Sequence, residues 1–177
     1  MITINSIKIN TINQKNYNKL INSIDFNCVT CSCGHSGCLT KHAYYKRYIK
    51  TDCDSKVCLS ILRVKCSICK HTHAVFPVFI VPYSQVSLDD HISIINNYLS
   101  DKSQKDLMNR KCLIDENTVR YILHNYKKYW HQRLTSFGIS LKHSLDEVSF
   151  HCIKFFNRQF MQIKCTLNIF ISMTHIT

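Results

Sequence analysis

A chain of 177 residues holds one domain or two small ones, and its 45% hydrophobic content can build a core and excludes wholesale disorder. Twenty-three Lys and Arg against eleven Asp and Glu leave a formal charge of +12, which points to a polyanionic partner, nucleic acid before anionic membrane. A membrane-spanning segment is excluded: the longest stretch without Lys, Arg, Asp or Glu, His71 to Leu88, contains Pro77, Pro82 and several polar groups.

From the N-terminus, Ile2, Ile4, Ile7 and Ile9 predict a short strand, and Asn10 to Asn13 a turn. The opening Met1-Ile2-Thr3-Ile4-Asn5 has neither a basic n-region nor an apolar h-region, so no signal peptide is expected. Tyr17, Leu20, Ile21 and Ile24 recur at helical spacing and predict a short amphipathic helix that covers one side of the segment after it.

That segment is a cysteine cluster. It opens with Cys28, Cys31, Cys33 and Cys38 and closes with Cys66-Ser67-Ile68-Cys69. Two thiols three positions apart on a tight turn face one ion, and two such turns complete a tetrahedral S4 site. Lys65 and Lys70 flank the closing pair and favour its thiolates. On the opening side Cys28 and Cys31 have the usual two-residue gap, whereas Cys31-Ser32-Cys33 has one residue and is followed by Gly34, whose backbone can turn tightly under a metal. The assignment is Cys31, Cys33, Cys66 and Cys69, with Cys28 or Cys38 as the alternative fourth ligand and His35, His71 and His73 as nitrogen donors able to substitute. Disulfides need an oxidising compartment, which the missing signal peptide argues against. Buried free thiols account for Cys112, Cys152 and Cys165 but not for a paired cluster. Structural Zn2+ is therefore expected, since a catalytic site keeps an open position and has a nearby general base.

Between the cysteine pairs a hairpin is predicted: Thr40 to Thr51, a turn at Asp52-Cys53-Asp54-Ser55, and Val57 to Lys65. Two knuckles joined by a β-hairpin make a zinc ribbon. Its arms carry Lys41, Lys46, Arg47, Lys50, Lys56, Arg63 and Lys65 among Tyr44, Tyr45 and Tyr48, a set that can grip phosphates and stack on bases, or simply guard a sheet edge with Lys. His73-Ala74-Val75-Phe76-Pro77 leads into Phe79, Ile80 and Val81, a predicted third strand ended by Pro82, and Pro82-Tyr83-Ser84 is a predicted domain boundary.

Helices follow. Ser87 with Asp90 forms a capping box ahead of Leu88, Ile92, Ile95 and Leu99, and Ser103 with Asp106 caps a short helix carrying Leu107 and Met108. Leu113-Ile114 makes a turn. Asp115 then caps a third helix, in which Val119, Ile122, Leu123, Tyr126, Trp130, Leu134 and Phe137 keep helical register without a break until Gly138. A short helix, a turn and a longer helix with a basic polar face form the helix-turn-helix pattern. Its candidate DNA-binding residues are Lys102, Lys105, Arg110, Lys111, Asn117, Thr118, Arg120, Tyr121, His124, Lys127 and Lys128. Asn and Arg make the bidentate contacts that read adenine and guanine.

The resulting expectation is an α+β chain: residues 1–27 an N-terminal strand and helix, 28–82 a zinc ribbon, 83–138 an all-α helix-turn-helix domain, and 139–177 a C-terminal tail, with Leu141 to Phe156 as one more helix. No catalytic residue is assigned. The acids fall mostly in turns and helix caps, the 39 residues after Gly138 cannot supply a sheet-based nuclease, and Gly34, Gly37 and Gly138 make no phosphate loop.

A resemblance rests on Cys33-Gly34-His35-Ser36-Gly37-Cys38-Leu39, His42-Ala43-Tyr44-Tyr45-Lys46-Arg47, Arg63-Val64-Lys65-Cys66 with Cys69, Thr72-His73-Ala74, Val81-Pro82-Tyr83 and Arg158-Gln159-Phe160-Met161-Gln162-Ile163-Lys164. In that order they resemble a bacterial family of small zinc-ribbon/helix-turn-helix proteins similar to the DNA-binding front end of insertion-sequence transposases. The resemblance implies double-stranded DNA as partner, a transposase or other mobile-element protein as a further one, and a place on the nucleoid in the bacterial cytoplasm. The first knuckle departs from it with a one-residue gap where two are expected, and Ala43 stands where glycine is expected. Sequence-specific duplex binding by an accessory or regulatory protein is the function expected. A catalytically incomplete transposase or recombinase fragment and a zinc-ribbon RNA-binding module are the alternatives.

Overall fold

The computed structural model describes residues 1–4, 12–50, 56–110 and 114–156, the side chains at 110, 153 and 156 excepted. The architecture is mixed α+β, a four-stranded sheet and a series of helices, and the chain divides into two units, Met1–Ile80 and Val81–Thr177.

The first unit contains β1 (Ile2–Ile4), α1 (Gln14–Asn22), β2 (Leu39–Lys50), β3 (Lys56–Cys66) and β4 (Thr72–Pro77). The sheet order is β1-β4-β3-β2. β2 and β3 form the expected hairpin, antiparallel from Leu39↔Cys66 to Lys50↔Lys56, with a register shift between Lys41 and Ala43; its turn lies outside the described residues. The third strand is Thr72–Pro77, not the expected Phe79–Val81. The turn after Cys66 reverses the chain at once, so Thr72 already pairs with Lys65. Pro77 then ends the ladder, and the Ile80 amide folds back on the Pro77 carbonyl at 3.0 Å. β3 is central. Its Leu59, Ile61, Leu62 and Val64 are all buried, so the strict alternation of a half-exposed strand is lost.

β4 pairs with Arg63–Lys65, and among the described residues the remainder of that β3 edge has no strand partner. α1, capped by the Asn13 side chain on the Asn16 amide at 2.8 Å, supplies the missing partners. Gln14 takes both backbone groups of Ser60, its Oε1 accepting from the amide at 2.7 Å and its Nε2 donating to the carbonyl at 3.4 Å. The Tyr17 hydroxyl accepts from the Leu62 amide at 2.8 Å and donates to the Val75 carbonyl at 3.1 Å. Burial pushes the Tyr17 pKa up to about 12, so the phenol stays protonated and keeps its donor. The expected cover of one side of the unit is thus in part a cover for backbone.

The second unit contains α2 (Leu88–Leu99), α3 (Lys105–Arg110), α4 (Glu116–Asn125), a π-helical turn (Tyr126–Trp130), α5 (His131–Ser136) and α6 (Leu145–Phe156). Ser87 and Asp115 cap α2 and α4 as expected, accepting from the amides of Asp90 and Thr118 at 3.2 and 2.7 Å. The third helix does not run unbroken. Ile122, Tyr126, Trp130 and Leu134, all buried, are each four residues apart. At about 100° per residue every such step drifts about 40°, so a pure α-helix would carry Leu134 about 120° away from Ile122. The π turn winds more residues into one turn and absorbs that drift, keeping the apolar side chains on one face. Gly138, at φ +64°, ends the run. α6 begins at Leu145, not Leu141, because Ser144 and Glu147 form a reciprocal capping box: Ser144 Oγ accepts from the Glu147 amide at 3.3 Å and Glu147 Oε2 accepts from the Ser144 amide at 3.0 Å. The Arg158–Lys164 stretch lies outside the described residues.

Replacing Tyr17 by Phe keeps the ring but strands the buried Leu62 amide, so urea unfolding should show a loss of about 1–3 kcal/mol. An unchanged midpoint would mean that α1 covers the β3 edge without satisfying it.

Candidate metal centre

Two backbone turns of the same design bring the sulfurs together. After β3, the Lys70 amide donates to the Cys66 carbonyl at 3.1 Å and the Cys66 amide to the His71 carbonyl at 2.9 Å, with Lys70 in the left-handed region at φ +64°. Ahead of β2, the Gly34 amide donates to the Cys31 carbonyl at 2.9 Å and the Cys31 amide to the His35 carbonyl at 2.8 Å, with Gly34 at φ +88°. The pair of hydrogen bonds is the same; the first turn closes one residue sooner. The one-residue gap between Cys31 and Cys33 is therefore a shortened knuckle. Glycine at the left-handed position removes the Cβ that would oppose it.

The Sγ atoms of Cys31, Cys33, Cys66 and Cys69 all lie within 4.8 Å of one another. Cys31 and Cys69 are 3.6 Å apart, and Cys33 and Cys66 3.8 Å. A tetrahedral ion with metal–sulfur bonds of about 2.3 Å sets its sulfurs about 3.8 Å apart, so this group can hold one metal ion. Cys28 lies outside it, exposed, its thiol donating to Asp25 Oδ2 at 3.3 Å. Cys38 comes close, 3.4 Å from Cys66 Sγ and 3.2 Å from the His35 carbonyl oxygen, but is not one of the four mutually close sulfurs.

Charge is distributed unevenly over these thiols. Burial raises Cys66, yet the Cys69 amide, the Cys38 thiol and the Ile68 amide outweigh it and bring Cys66 down to about 6. The Cys33 amide lowers Cys31. Burial pushes Cys38 up to about 11, so this thiol keeps its proton beside the Cys66 sulfur. Cys69 feels a lowering hydrogen bond from the His71 amide, but burial and the neighbouring sulfurs push it up to about 12.

The histidines divide. His71 is exposed. His35 Nδ1 lies 3.5 Å from Cys33 Sγ, and the buried His73 places Nε2 3.3 Å from Cys31 Sγ. On its other side His73 Nδ1 lies 3.3 Å from the Met1 nitrogen, and burial, that nitrogen and His71 all lower its pKa. A neutral ring that accepts at Nδ1 has its proton on Nε2, pointed at the Cys31 sulfur. Such a hydrogen bond orients a thiolate ligand. The sequence suggested His73 only as a substitute ligand, because nothing in its spacing reveals that β4 carries it to Cys31.

Among the candidate DNA-binding residues, Lys102, Lys105, Asn117, Arg120, Tyr121, His124, Lys127 and Lys128 are exposed and Thr118 is half-buried. The side chain of Arg110 and all of Lys111 lie outside the described set. Arg120 pairs with Glu116 at 3.0 Å, both largely in solvent. Lys127 Nζ sits 4.5 Å from the Tyr98 ring centroid, and Lys128 Nζ 5.1 Å from that of Tyr129.

Residues 28–121, just over half of the chain, match DUF6431, a domain of unknown function. The chain belongs to that family. No curated protein and no solved structure matches it. The DUF6431 segment opens at Cys28, takes in the four sulfurs, the hairpin and β4, and ends at Tyr121 inside α4.

Metal analysis should find one ion per chain in the parent and in Cys28→Ser and Cys38→Ser, and loss in Cys31→Ser and Cys66→Ser. Loss in Cys28→Ser instead would move the site. Metal displaces thiol protons, so affinity should weaken as pH falls. The slope of log affinity against pH should steepen by one proton below about pH 6, where apo Cys66 gains its own. A competition titration with a chromophoric chelator across that range reads it.

Proposed function

We propose that this DUF6431 protein is a zinc ribbon followed by a helix-turn-helix, that it binds double-stranded DNA with sequence preference, and that it acts as a transposase-related accessory or regulatory protein, not an enzyme. Zn2+ is the ion this reading assigns to the four cysteines. An all-sulfur tetrahedral set suits zinc, and four protein sulfurs leave no open position for a substrate, so the role is structural. The ion would join the two knuckles at the base of the hairpin, and its binding energy would count as folding energy.

The observation that carries the DNA reading is the outer face of α4. Asn117, Arg120, Tyr121 and His124 are exposed, while Val119 and Ile122 are buried on the opposite face. Asp115 caps the helix, and Ile114 just ahead of it is buried, 4% exposed. Arg120 gives up little by leaving Glu116, because so exposed a pair is worth at most about 1 kcal/mol. It is thus available for a guanine edge. Lys127 and Lys128 sit further along, held against Tyr98 and Tyr129, as befits cations that meet phosphate. Such a protein would work on the bacterial nucleoid, with a transposase or other mobile-element protein as companion.

Binding titrations against selected and scrambled duplexes at several salt concentrations test it. Arg120→Ala should cost about 1–3 kcal/mol on the preferred site and flatten discrimination. Lys128→Ala should weaken all duplexes alike and lower the salt slope by about one ion. Parent-like binding by both variants would reduce α4 to a bundle helix with a solvated face.

A further inference from the structure

The first unit carries eleven Lys and Arg against three Asp, a net +8 of the chain's +12, so most of the positive charge lies outside the helical unit. Part of it lies on one face of β2. Tyr44, Lys46, Tyr48 and Lys50 alternate along the strand and so point to the same side, with Leu62, Ser60, Cys58 and Lys56 opposite them on β3. No acid stands among these eight residues. Tyr44 is 57% exposed and Tyr48 50%, and neither ring has an aromatic or cationic partner among the described residues. The reverse face differs: there the Arg63 guanidinium covers Tyr45 at 4.8 Å, and Arg47 covers Phe76 at 5.1 Å. Beside Tyr44 a groove of about 440 Å³ runs along α1, lined by Gln14, Asn18, Asn22 and Ser60 among others, with Lys15 and Lys19 exposed on the same helix.

We infer that this face of the hairpin, with the groove along α1, is a binding track for single-stranded DNA. Unstacked bases lie on the rings of Tyr44 and Tyr48, Lys46 and Lys56 meet the phosphates, and the amides of Asn18 and Asn22 reach base edges. Rings four residues apart on a strand are separated by about 13 Å, which leaves room for Lys46 between two stacked bases. Lysines alone would account for β2 as a guarded sheet edge. They do not account for two large rings left open to water on the same face as the cations, which is the composition that binds single strands. The inference rests on the reading of the protein as DNA-binding, but it uses different residues in a different unit.

The test uses the full-length, metal-loaded protein with a labelled oligothymidine and a labelled duplex, read by fluorescence anisotropy. Tyr48→Ala should weaken single-strand binding about ten-fold and Tyr48→Phe should restore it, while duplex affinity stays that of the parent. Lys46→Ala should lower the single-strand salt slope by about 0.7. Metal content and circular dichroism establish that each variant is folded, and Lys46→Ala carries the test if Tyr48→Ala is not. Parent-like single-strand binding by the folded variants, no single-strand binding by the parent, or a preference for the matching RNA would each overturn the inference. If single-strand binding depends on Tyr48 but duplex binding is absent or indifferent to Arg120, the track stands and the helix reading falls.

Discussion

Four sulfurs within 4.8 Å of one another impose a closure on the first unit that its other features depend on. Cys31 and Cys33 lie ahead of β2, and Cys66 and Cys69 at the end of β3, so a shared ion would clamp both ends of the hairpin at its base. The knuckles are preformed by backbone hydrogen bonds and by left-handed residues at Gly34 and Lys70. The protonation pattern belongs to the same closure. Sulfurs this close cannot all ionise, so without an ion Cys66 is the thiol that gives up its proton most readily, Cys31 is also lowered, and Cys69 and the neighbouring Cys38 hold protons. An ion would neutralise the repulsion among thiolates and release the protons its ligands hold.

Away from the cluster, two irregular features answer to burial. β4 stops short of the upper part of β3, and the exposed ladder is finished by side chains: Gln14 stands in for a strand residue at Ser60, and Tyr17 bridges Leu62 to Val75. In the second unit, a run of buried residues at intervals of four has a longer period than an α-helix, and one π turn reconciles the two. Each irregularity is the cheaper option, since a buried amide without a partner or a large apolar ring in water would cost more.

The two units divide the charge unequally, about +8 to +4, and present it differently. The helical unit carries single cations at spaced positions on a capped helix, the arrangement on which the proposed duplex reading rests. The hairpin carries cations between exposed aromatic rings, the arrangement on which the proposed single-strand track rests. Both follow from periodicity, 3.6 in one case and 2 in the other.

Much of this was legible in the residues themselves. The cysteine spacing pointed to Cys31, Cys33, Cys66 and Cys69 but left Cys28 and Cys38 open as the fourth sulfur; the folded knuckles bring the first four together, within reach of one metal ion. The hairpin arms and the caps at Ser87 and Asp115 were legible because their signals are local. The capping box at Ser144 and Glu147 is equally local, and it sets the start of α6 at Leu145 where apolar periodicity alone suggests Leu141. Other features depend on distant partners. The third strand was displaced because the turn at Cys66–Cys69 determines where the returning chain meets β3. His73 reaches Cys31 only through the β3–β4 pairing, and the covering of the β3 edge by Gln14 and Tyr17 joins residues 46 and 45 positions apart. The π turn arises because a hydrophobic face must stay continuous against its neighbours, and no local propensity announces it. Local hydrogen bonding and side-chain period are properties of the sequence; which edges remain open, and which side chains close them, is decided only when the strands and helices are packed.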